Sequence, residues 1–212
     1  MTETIADVRI PDSPLAQEVT RFIRETSGDL LFHHSRRVFL FGTLQGRARG
    51  VEADPELLYV GAMCHDLGLV DGHRSTDQRF EVDGADAARD LLLEHGRSAA
   101  DARAVWLAIA LHTTPGVPEH LEPEIALVTA GVETDVLGLA LDRLTPEQLA
   151  EVTAAHPRPD FKRQILAAFR DGFADRPDTT FGTVNDDVLA HFDPDFRRTD
   201  FTEVVRGSAW PE

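Results

Sequence analysis

The sequence predicts an all-α fold formed by a single domain. Apolar residues recur every three or four positions along most of the chain, which is the spacing of one helix face. Several segments open with a capping residue followed by proline, as at Asp54-Pro55 and Thr145-Pro146, and such a pair marks a helix start. No stretch alternates apolar and polar residues convincingly, so strands are not expected. The length of 212 residues suits one well-filled core and gives no reason to divide the chain.

The N-terminal part of the chain predicts a loose arm followed by two helices. Residues 1–12 are assigned to a flexible arm, and residues 13–212 are assigned to the domain. Ser13-Pro14 is a capping residue and a proline at the first helical position, and it starts the first helix. The second helix, from about Leu30 to Arg49, has one face formed by Leu31, His34, Val38 and Phe41. The side chain of His34 is therefore expected to point into the core.

The third helix ends on a polar pair. Asp54-Pro55-Glu56 starts it, and an apolar run from Leu58 leads to the adjacent residues His65 and Asp66, with Gly68 as the stop signal. A charged carboxylate beside an imidazole at the end of an apolar run is costly unless another group compensates it. A divalent metal ion is the commonest compensation that would use both side chains.

The rest of the chain predicts a polar loop, further helices and an irregular tail. The segment from Val70 to Asp83 is rich in turn residues and is a candidate lid or rim loop. The helix that starts at Glu122 places Asp135 on its apolar face. Residues 192–210 are predicted to be irregular but to pack onto the body through Phe196, Phe201 and Trp210. Further helices are predicted to begin at Asp83, Ser98, Thr145, Asp160 and about Asn185.

Composition restricts the classes of partner. A net charge of −16 argues against nucleic acid and anionic membrane, since both require basic patches. The single cysteine, Cys64, excludes a disulfide framework and a cysteine-based zinc site. No apolar run approaches the roughly 18 residues of a membrane span, and the first residues contain no apolar signal core. The expectation is a cytoplasmic protein that acts on a small molecule, with homo-oligomer formation left open.

Three predicted helices each direct a possible metal ligand to the interior. A single histidine on an apolar helix face is more often a hydrogen-bonded core residue than a ligand. Four candidates that point to one interior make a metal site the better explanation than separate core residues, because a buried carboxylate needs a cation or several donors. Two imidazoles and two carboxylates suit zinc, iron(II) or manganese better than calcium. The candidate ligands are His34, His65, Asp66 and Asp135.

An ordered series of motif blocks extends over about residues 14–208. The blocks are His34-Ser35-x-Arg37, Glu56 to Tyr59, His65 to Leu69, Arg79 to Gly84, Ala108 to Thr113, Asp135 to Gly138, Phe161 to Arg163 and Phe196 to Arg198. The chain is similar to the cyanamide hydratase-like branch of the HD-domain metalloproteins, which predicts an HD-domain helical bundle. The resemblance implies one divalent metal ion, most often zinc, bound by His34, His65, Asp66 and Asp135. It also implies that the metal activates water for addition across the nitrile of cyanamide, which gives urea.

Two further residues in the matched blocks are candidate catalytic groups. His112 ends an inward-packed helix, where it is either a histidine stabilised by the helix dipole, a proton shuttle, or a ligand of a second metal. Glu81 could orient the substrate or a ligand, whereas Asp83 is interpreted as an N-cap. The remaining histidines are interpreted as surface or structural residues: His33, His73, His95, His120, His156 and His191.

Two other functions remain open at this stage. Phosphate-ester hydrolysis is the commonest activity of HD proteins, and many such members carry a lysine where this chain has Leu69. The only lysine here is Lys162, although arginines could bind a phosphate group in its place. A binding or scaffold module built on the same fold is the third possibility. The four intact ligand positions argue against it.

Overall fold

The computed structural model describes residues 3–210 and confirms the all-α prediction. Ten helices are present in this part of the chain, together with one small hairpin and several 3₁₀ turns. The helices are α1 (Pro14–Thr26), α2 (Gly28–Arg49), α3 (Pro55–Cys64), α4 (Phe80–Glu94), α5 (Ala99–Ala110), α6 (Pro123–Val132), α7 (Pro146–Ala155), α8 (Phe161–Phe173), α9 (Asn185–Phe192) and α10 (Phe201–Arg206).

The N-terminal segment differs from the predicted loose arm. Strands β1 (Thr4–Ile5) and β2 (Val8–Arg9) pair in an antiparallel hairpin. Its turn residues Ala6 and Asp7 both have positive φ, 48° and 59°, the backbone of a type I′ turn. Ile5, Val8 and Ile10 are buried, so burial of apolar side chains holds residues 3–12 on the body. The prediction was wrong because two-residue strands are too short to show alternation, and Ala-Asp is a weak turn signal.

The larger core surrounds α2, which packs against α3 and α6. Two glycines allow the close approach of α2 and α6. A Cβ at Gly42 would lie 2.5 Å from the Leu127 carbonyl oxygen, and a Cβ at Gly131 would clash with the Val38 carbonyl. Only residues without a side chain fit at these positions. This contact fixes the distance between His34 on α2 and the chain that leaves α6.

A second, smaller core lies under α8 and α9. Its buried side chains are Leu31, Leu69, Phe80, Phe161, Ile165, Phe173 and Leu189. The guanidinium of Arg176, which follows α8, donates to the carbonyls of Gly68 and Gly172 at 2.9 and 3.1 Å. It also donates to Gln78 O at 2.9 Å. Arg176 therefore connects the end of α8 to the turn after His65-Asp66 and to the predicted rim loop.

The start of α4 corrects the prediction that Asp83 is an N-cap. The helix begins at Phe80 with Arg79 in the N-cap position, so Asp83 lies within the first turn. Its carboxylate accepts a hydrogen bond from the backbone N–H of Ser75 at 3.0 Å and forms an ion pair with Arg176. The earlier start follows from Phe80, which is 1% exposed and is drawn into the second core.

The C-terminal tail departs in part from the prediction. Phe196 packs against the second core as expected. Phe201 is 66% exposed and Trp210 is 86% exposed, so the expectation that these two side chains pack onto the body was wrong. The residues between them include the short helix α10, which places no side chain in either core. Within residues 3–210, no helix is both long enough and apolar enough to cross a bilayer.

Candidate metal centre

Four polar side chains from three parts of the bundle meet in the interior. His34 lies in the second turn of α2, His65 is the C-cap of α3, Asp66 follows it, and His112 lies just beyond α5. The four side chains are only 1–2% exposed. The interior orientation predicted for His34, His65 and Asp66 is confirmed. His112 shares the same interior.

The imidazole nitrogens surround the carboxylate of Asp66. Nε2 of His65 lies 3.3 Å from Asp66 Oδ2, and Nε2 of His34 lies 3.5 Å from the same oxygen. The two Nε2 atoms are 3.1 Å apart. One ligand atom from each of His34, His65 and Asp66 lies within 4.8 Å of the others, a group that could hold a metal ion.

Hydrogen bonds at the far side of each ring fix the tautomers. Nδ1 of His65 donates to the Ala62 carbonyl at 2.8 Å, and Nδ1 of His34 donates to Asp135 Oδ2 at 2.7 Å. Each Nε2 atom is therefore assigned a lone pair that points toward Asp66. Two lone pairs at 3.1 Å repel unless a proton lies between the nitrogens or a cation lies next to both.

The donor set fits a divalent ion. Neither carboxylate oxygen of Asp66 has a hydrogen-bond partner among the described residues, although both are buried. Two ligands bound at about 2.1 Å with an angle of roughly 90–110° between them are separated by about 3.0–3.4 Å. The observed separations of 3.1 to 3.5 Å come close to this range. A carboxylate with imidazole nitrogens is a ligand type that zinc, iron and manganese accept.

Burial and the neighbouring carboxylates shift the pKa values of His34 and His65 in opposite directions. Burial lowers the pKa of His34, and the adjacent Asp135 opposes this effect without overcoming it. Burial also lowers the pKa of His65, but the nearby Asp66 carboxylate outweighs it, so the net pKa is raised. For Asp66, burial raises the pKa, but the imidazole of His65 outweighs it and leaves the pKa well below its usual range. The cluster thus attracts positive charge.

Asp135 lies behind His34, on the side away from Asp66. Its Oδ2 accepts the hydrogen bond from Nδ1 of His34, and Arg37 donates to both oxygens at 2.8 and 2.9 Å. The guanidinium of Arg158 adds a third cationic contact at 3.2 Å. The carboxylate sits in the π-helical turn Glu133–Leu137 that follows α6. Direct metal binding by Asp135 stays a prediction, since in this geometry it orients His34.

Glu81 is held in a hydrogen-bonded group beside His112. Arg79 donates to its Oε1 at 2.8 Å, Thr113 bonds to the same oxygen, and Asn185 donates to it at 3.2 Å. The side chain of Glu81 is fully buried. Burial raises its pKa, but the hydrogen bond from Arg79 outweighs burial and keeps the pKa below its usual value. Glu81 is therefore a carboxylate at neutral pH.

Sequence reasoning did not identify four of the residues that surround these groups. Arg37 was considered only as a possible phosphate-binding arginine and Thr113 only as part of a turn near the substrate, so their contacts with Asp135 and Glu81 were not predicted. Arg37 lies three positions after His34, on the same helix face. Arg158 and Asn185 gave no signal, because they reach the site from segments that only the tertiary fold brings close.

Aromatic side chains cover the cluster. The ring of Phe161 on α8 lies 5.3 Å from the ring of His34, and Phe80 lies 5.6 Å from the ring of His112. Phe80 also stacks on Phe173 at 6.0 Å. Phe161 on α8 and Phe80 on α4 therefore place apolar surface against the polar cluster.

A comparison with protein families agrees with this arrangement. The sequence profile of the family described as HD domain matches residues 31–156. This range covers more than half of the chain and contains all four predicted ligands as well as His112. It ends before α8. No curated protein matches the chain.

Proposed function

Because the chain belongs to the HD-domain family, we propose that it is a metal-dependent enzyme that adds water to a small nitrile-type substrate, converting cyanamide or a related compound to a urea-like product. HD-domain proteins are generally metal-dependent hydrolases. The finer assignment to hydration rests on the resemblance of the motif blocks. Zinc is the first metal to test, followed by iron(II) and manganese.

One observation carries the proposal: buried ligand atoms without partners lie among apolar side chains. Asp66 and Nε2 of His112 lack hydrogen-bond partners within the described residues, while Phe161 packs on the ring of His34 and Phe80 on the ring of His112. Apolar surroundings of this kind favour a small uncharged substrate, because burying a charged one would carry a large desolvation cost. Cyanamide is small and uncharged.

The residues present can be given roles in this reaction. His34, His65 and Asp66 would hold the metal, and Asp135 would either complete the ligand set, as the resemblance implies, or orient His34. A bound divalent ion would supply Lewis-acid chemistry that makes water nucleophilic near neutral pH. Glu81 stays ionised and can accept a hydrogen bond from a substrate N–H group. His112 offers a neutral Nε2 atom beside Asp66, since burial lowers its pKa to about 4.

The test is urea formation from cyanamide by the purified protein, with metal content measured on the same sample. We expect chelator-sensitive turnover with about one metal per chain. The variants His34→Ala and Asp66→Ala should lose turnover and metal together. His191→Ala is the matched control, because His191 is exposed and lies outside the cluster. No turnover by metal-loaded protein would contradict the hydration proposal.

A second candidate function is hydrolysis of a nucleotide or another phosphate ester. The observation that favours it is the pair of partly exposed arginines next to the site: Arg158 beside Asp135 and Arg79 beside Glu81. Guanidinium groups bind phosphate oxygens well. Both arginines already have carboxylate partners here, which weakens the case. Metal-dependent release of phosphate from an ester panel, without urea formation, would replace the first proposal with this one.

A further inference from the structure

His112, two residues past the end of α5, brings a third imidazole to the cluster of His34, His65 and Asp66. Nδ1 of His112 donates to the Ile109 carbonyl at 2.6 Å, so its Nε2 carries the lone pair. Nε2 lies 3.7 Å from Asp66 Oδ1 and has no hydrogen-bond partner among the described residues. The side chain is 1% exposed. A buried acceptor without a partner is unfavourable and requires an explanation.

The packing around His112 directs this nitrogen toward the cluster. Its ring meets the ring of His65 edge to face at 4.9 Å and 89°, and the ring of Phe80 lies on another side at 5.6 Å. His112, His34 and His65 share one pattern, in which Nδ1 donates to a fixed oxygen and Nε2 lies 3.3 to 3.7 Å from an oxygen of Asp66. This pattern is typical of metal-binding histidines, whose second nitrogen donates to a carbonyl or carboxylate.

We propose that Nε2 of His112 is a further ligand of the metal ion held by His34, His65 and Asp66. The inference rests on the proposed metal-dependent function and deepens it, because it gives His112 a ligand's role in place of a proton shuttle. The resulting set contains three imidazoles and one carboxylate. Such a set favours zinc, iron(II) or manganese and disfavours magnesium and calcium, which prefer oxygen ligands.

This assignment also accounts for the position of Asp135. With His112 in the ligand set, Asp135 can keep its hydrogen bond to Nδ1 of His34 at 2.7 Å and its contacts with Arg37. A carboxylate in that position fixes the ring orientation and raises the basicity of the ligating nitrogen. The alternative set, with Asp135 as a ligand and His112 outside, contains two imidazoles and two carboxylates.

The experiment counts imidazole ligands in the metal-loaded full-length protein by X-ray absorption at the zinc edge. We expect three imidazoles in the wild type and two in His112→Ala, with the dissociation constant for zinc in chelator competition raised at least about tenfold. His73→Ala is the control: this half-buried imidazole packs on Phe22, outside the cluster, and its removal should leave both readouts unchanged. Two imidazoles in the wild type, together with an unchanged dissociation constant in His112→Ala, would overturn the assignment.

If His112→Ala does not fold, the proposal can be tested with a variant in which another metal-binding side chain replaces His112. In His112→Cys loaded with cobalt(II), a thiolate ligand would add a charge-transfer band in the near ultraviolet. The wild type should lack this band, although it contains the buried Cys64. Absence of the band in a cobalt-loaded His112→Cys protein would count against the assignment. Failure of the wild type to bind any of the metals would instead remove the metal site and the proposed function together.

Discussion

Asp66 and Asp135 are both buried carboxylates, but their surroundings demand different compensation. Asp135 receives hydrogen bonds from His34 and Arg37 and a further contact from Arg158. Asp66 accepts no hydrogen bond from any described residue and has only imidazole nitrogens around it. Because an ionised carboxylate is costly to bury without a partner, Asp66 needs a cation more than Asp135 does. We therefore expect metal binding to depend most directly on Asp66.

The first prediction concerns the buried ion pair of Asp135 with Arg37. Asp135→Asn keeps the shape of the side chain but leaves the 1%-exposed Arg37 without its full counter-charge. Breaking such a pair on one side costs about 3–5 kcal/mol, so we expect a comparable loss in the free energy of unfolding. Urea denaturation with chelator present measures this loss without a metal contribution. Asp171→Asn removes an exposed partner of Arg170 and should change stability by less than about 1 kcal/mol. Equal losses in the two variants would contradict the prediction.

The second prediction concerns the pH dependence that His156 imposes. Burial lowers the pKa of His156 to about 3, and the positive charge of Arg36 adds to this effect. The unfolded chain takes up a proton on this imidazole below about pH 6.5, whereas the folded chain does not until about pH 3. This contribution to stability is therefore complete above pH 6.5 and is lost as the pH falls toward 3.

The expected loss from His156 between pH 7 and pH 5.5 is about 1 kcal/mol. His156→Gln keeps an acceptor for the Nε–H of Arg36, now donated to His156 Nε2 at 3.3 Å, but cannot titrate. Its free energy of unfolding should fall less than that of the wild type over this interval. Urea denaturation at the two pH values measures the difference. Parallel curves for the two proteins would show that His156 does not titrate as stated.

At the scale of elements, the contact between α2 and α6 determines whether His34 and Asp135 meet. Gly42 and Gly131 let the two backbones approach until a Cβ at Gly131 would strike the Val38 carbonyl. The π-helical turn after α6 then carries Asp135 to Nδ1 of His34. The positions of both residues depend on this one crossing.

The third prediction tests that crossing. Gly131→Ala gains about 1 kcal/mol of helix propensity but forces a methyl group against a backbone carbonyl that cannot rotate away. We expect overpacking to exceed the gain and the free energy of unfolding to fall by about 1–2 kcal/mol. Ala48→Ser is the control, because it adds one atom at an exposed position near the end of α2. A Gly131→Ala protein as stable as the wild type would show that α2 and α6 are not held as described.

Helices that begin with a clear capping sequence could be predicted from the sequence. The starts of α3 and α7 are examples: Asp54 and Thr145 cap them through their side chains, as the Asp-Pro and Thr-Pro pairs indicated. The interior positions of His34, His65 and Asp66 followed from apolar periodicity. The start of α4 and the N-terminal hairpin were not predictable, because tertiary burial of Phe80 and of Val8 decides them. Two of the contacts were out of reach of sequence patterns because they join residues far apart along the chain: Arg37 and Asp135 are separated by 98 residues, and Glu81 and Asn185 by 104.

At the scale of the molecule, the candidate ligands and part of their aromatic surroundings come from different parts of the chain. The HD-domain match ends at residue 156, and the candidate ligands all precede that point. Phe161 on α8 and Asn185 on α9 follow it, whereas Phe80 on α4 lies within the matched range. Assignment of residues 157–212 to the same domain stays a prediction. The shared second core, which joins Leu31 and Phe80 to Phe161 and Leu189, supports it.

The fourth prediction is that metal binding stabilises the whole bundle. The candidate ligands come from α2, from the end of α3 and from the end of α5, so one ion would connect three helices that separate on unfolding. A ligand that binds only the folded state at 100 times its dissociation constant adds about 2.7 kcal/mol, or roughly 5–10 °C in Tm for a chain of this size. Differential scanning fluorimetry of chelator-treated protein, with and without zinc, measures the shift.

Matched variants separate specific from non-specific metal binding in the same measurement. Asp66→Asn should abolish the zinc-dependent rise in Tm, because it removes the charge on which the cluster depends. His191→Ala should keep the rise, since its exposed imidazole binds none of the cluster residues. Magnesium should produce no comparable rise, because a site rich in imidazole nitrogen suits zinc, iron and manganese better than a cation that requires oxygen ligands. An equal rise in Asp66→Asn and wild type would place the stabilising metal elsewhere on the acidic surface, where the net charge of −16 offers many carboxylates.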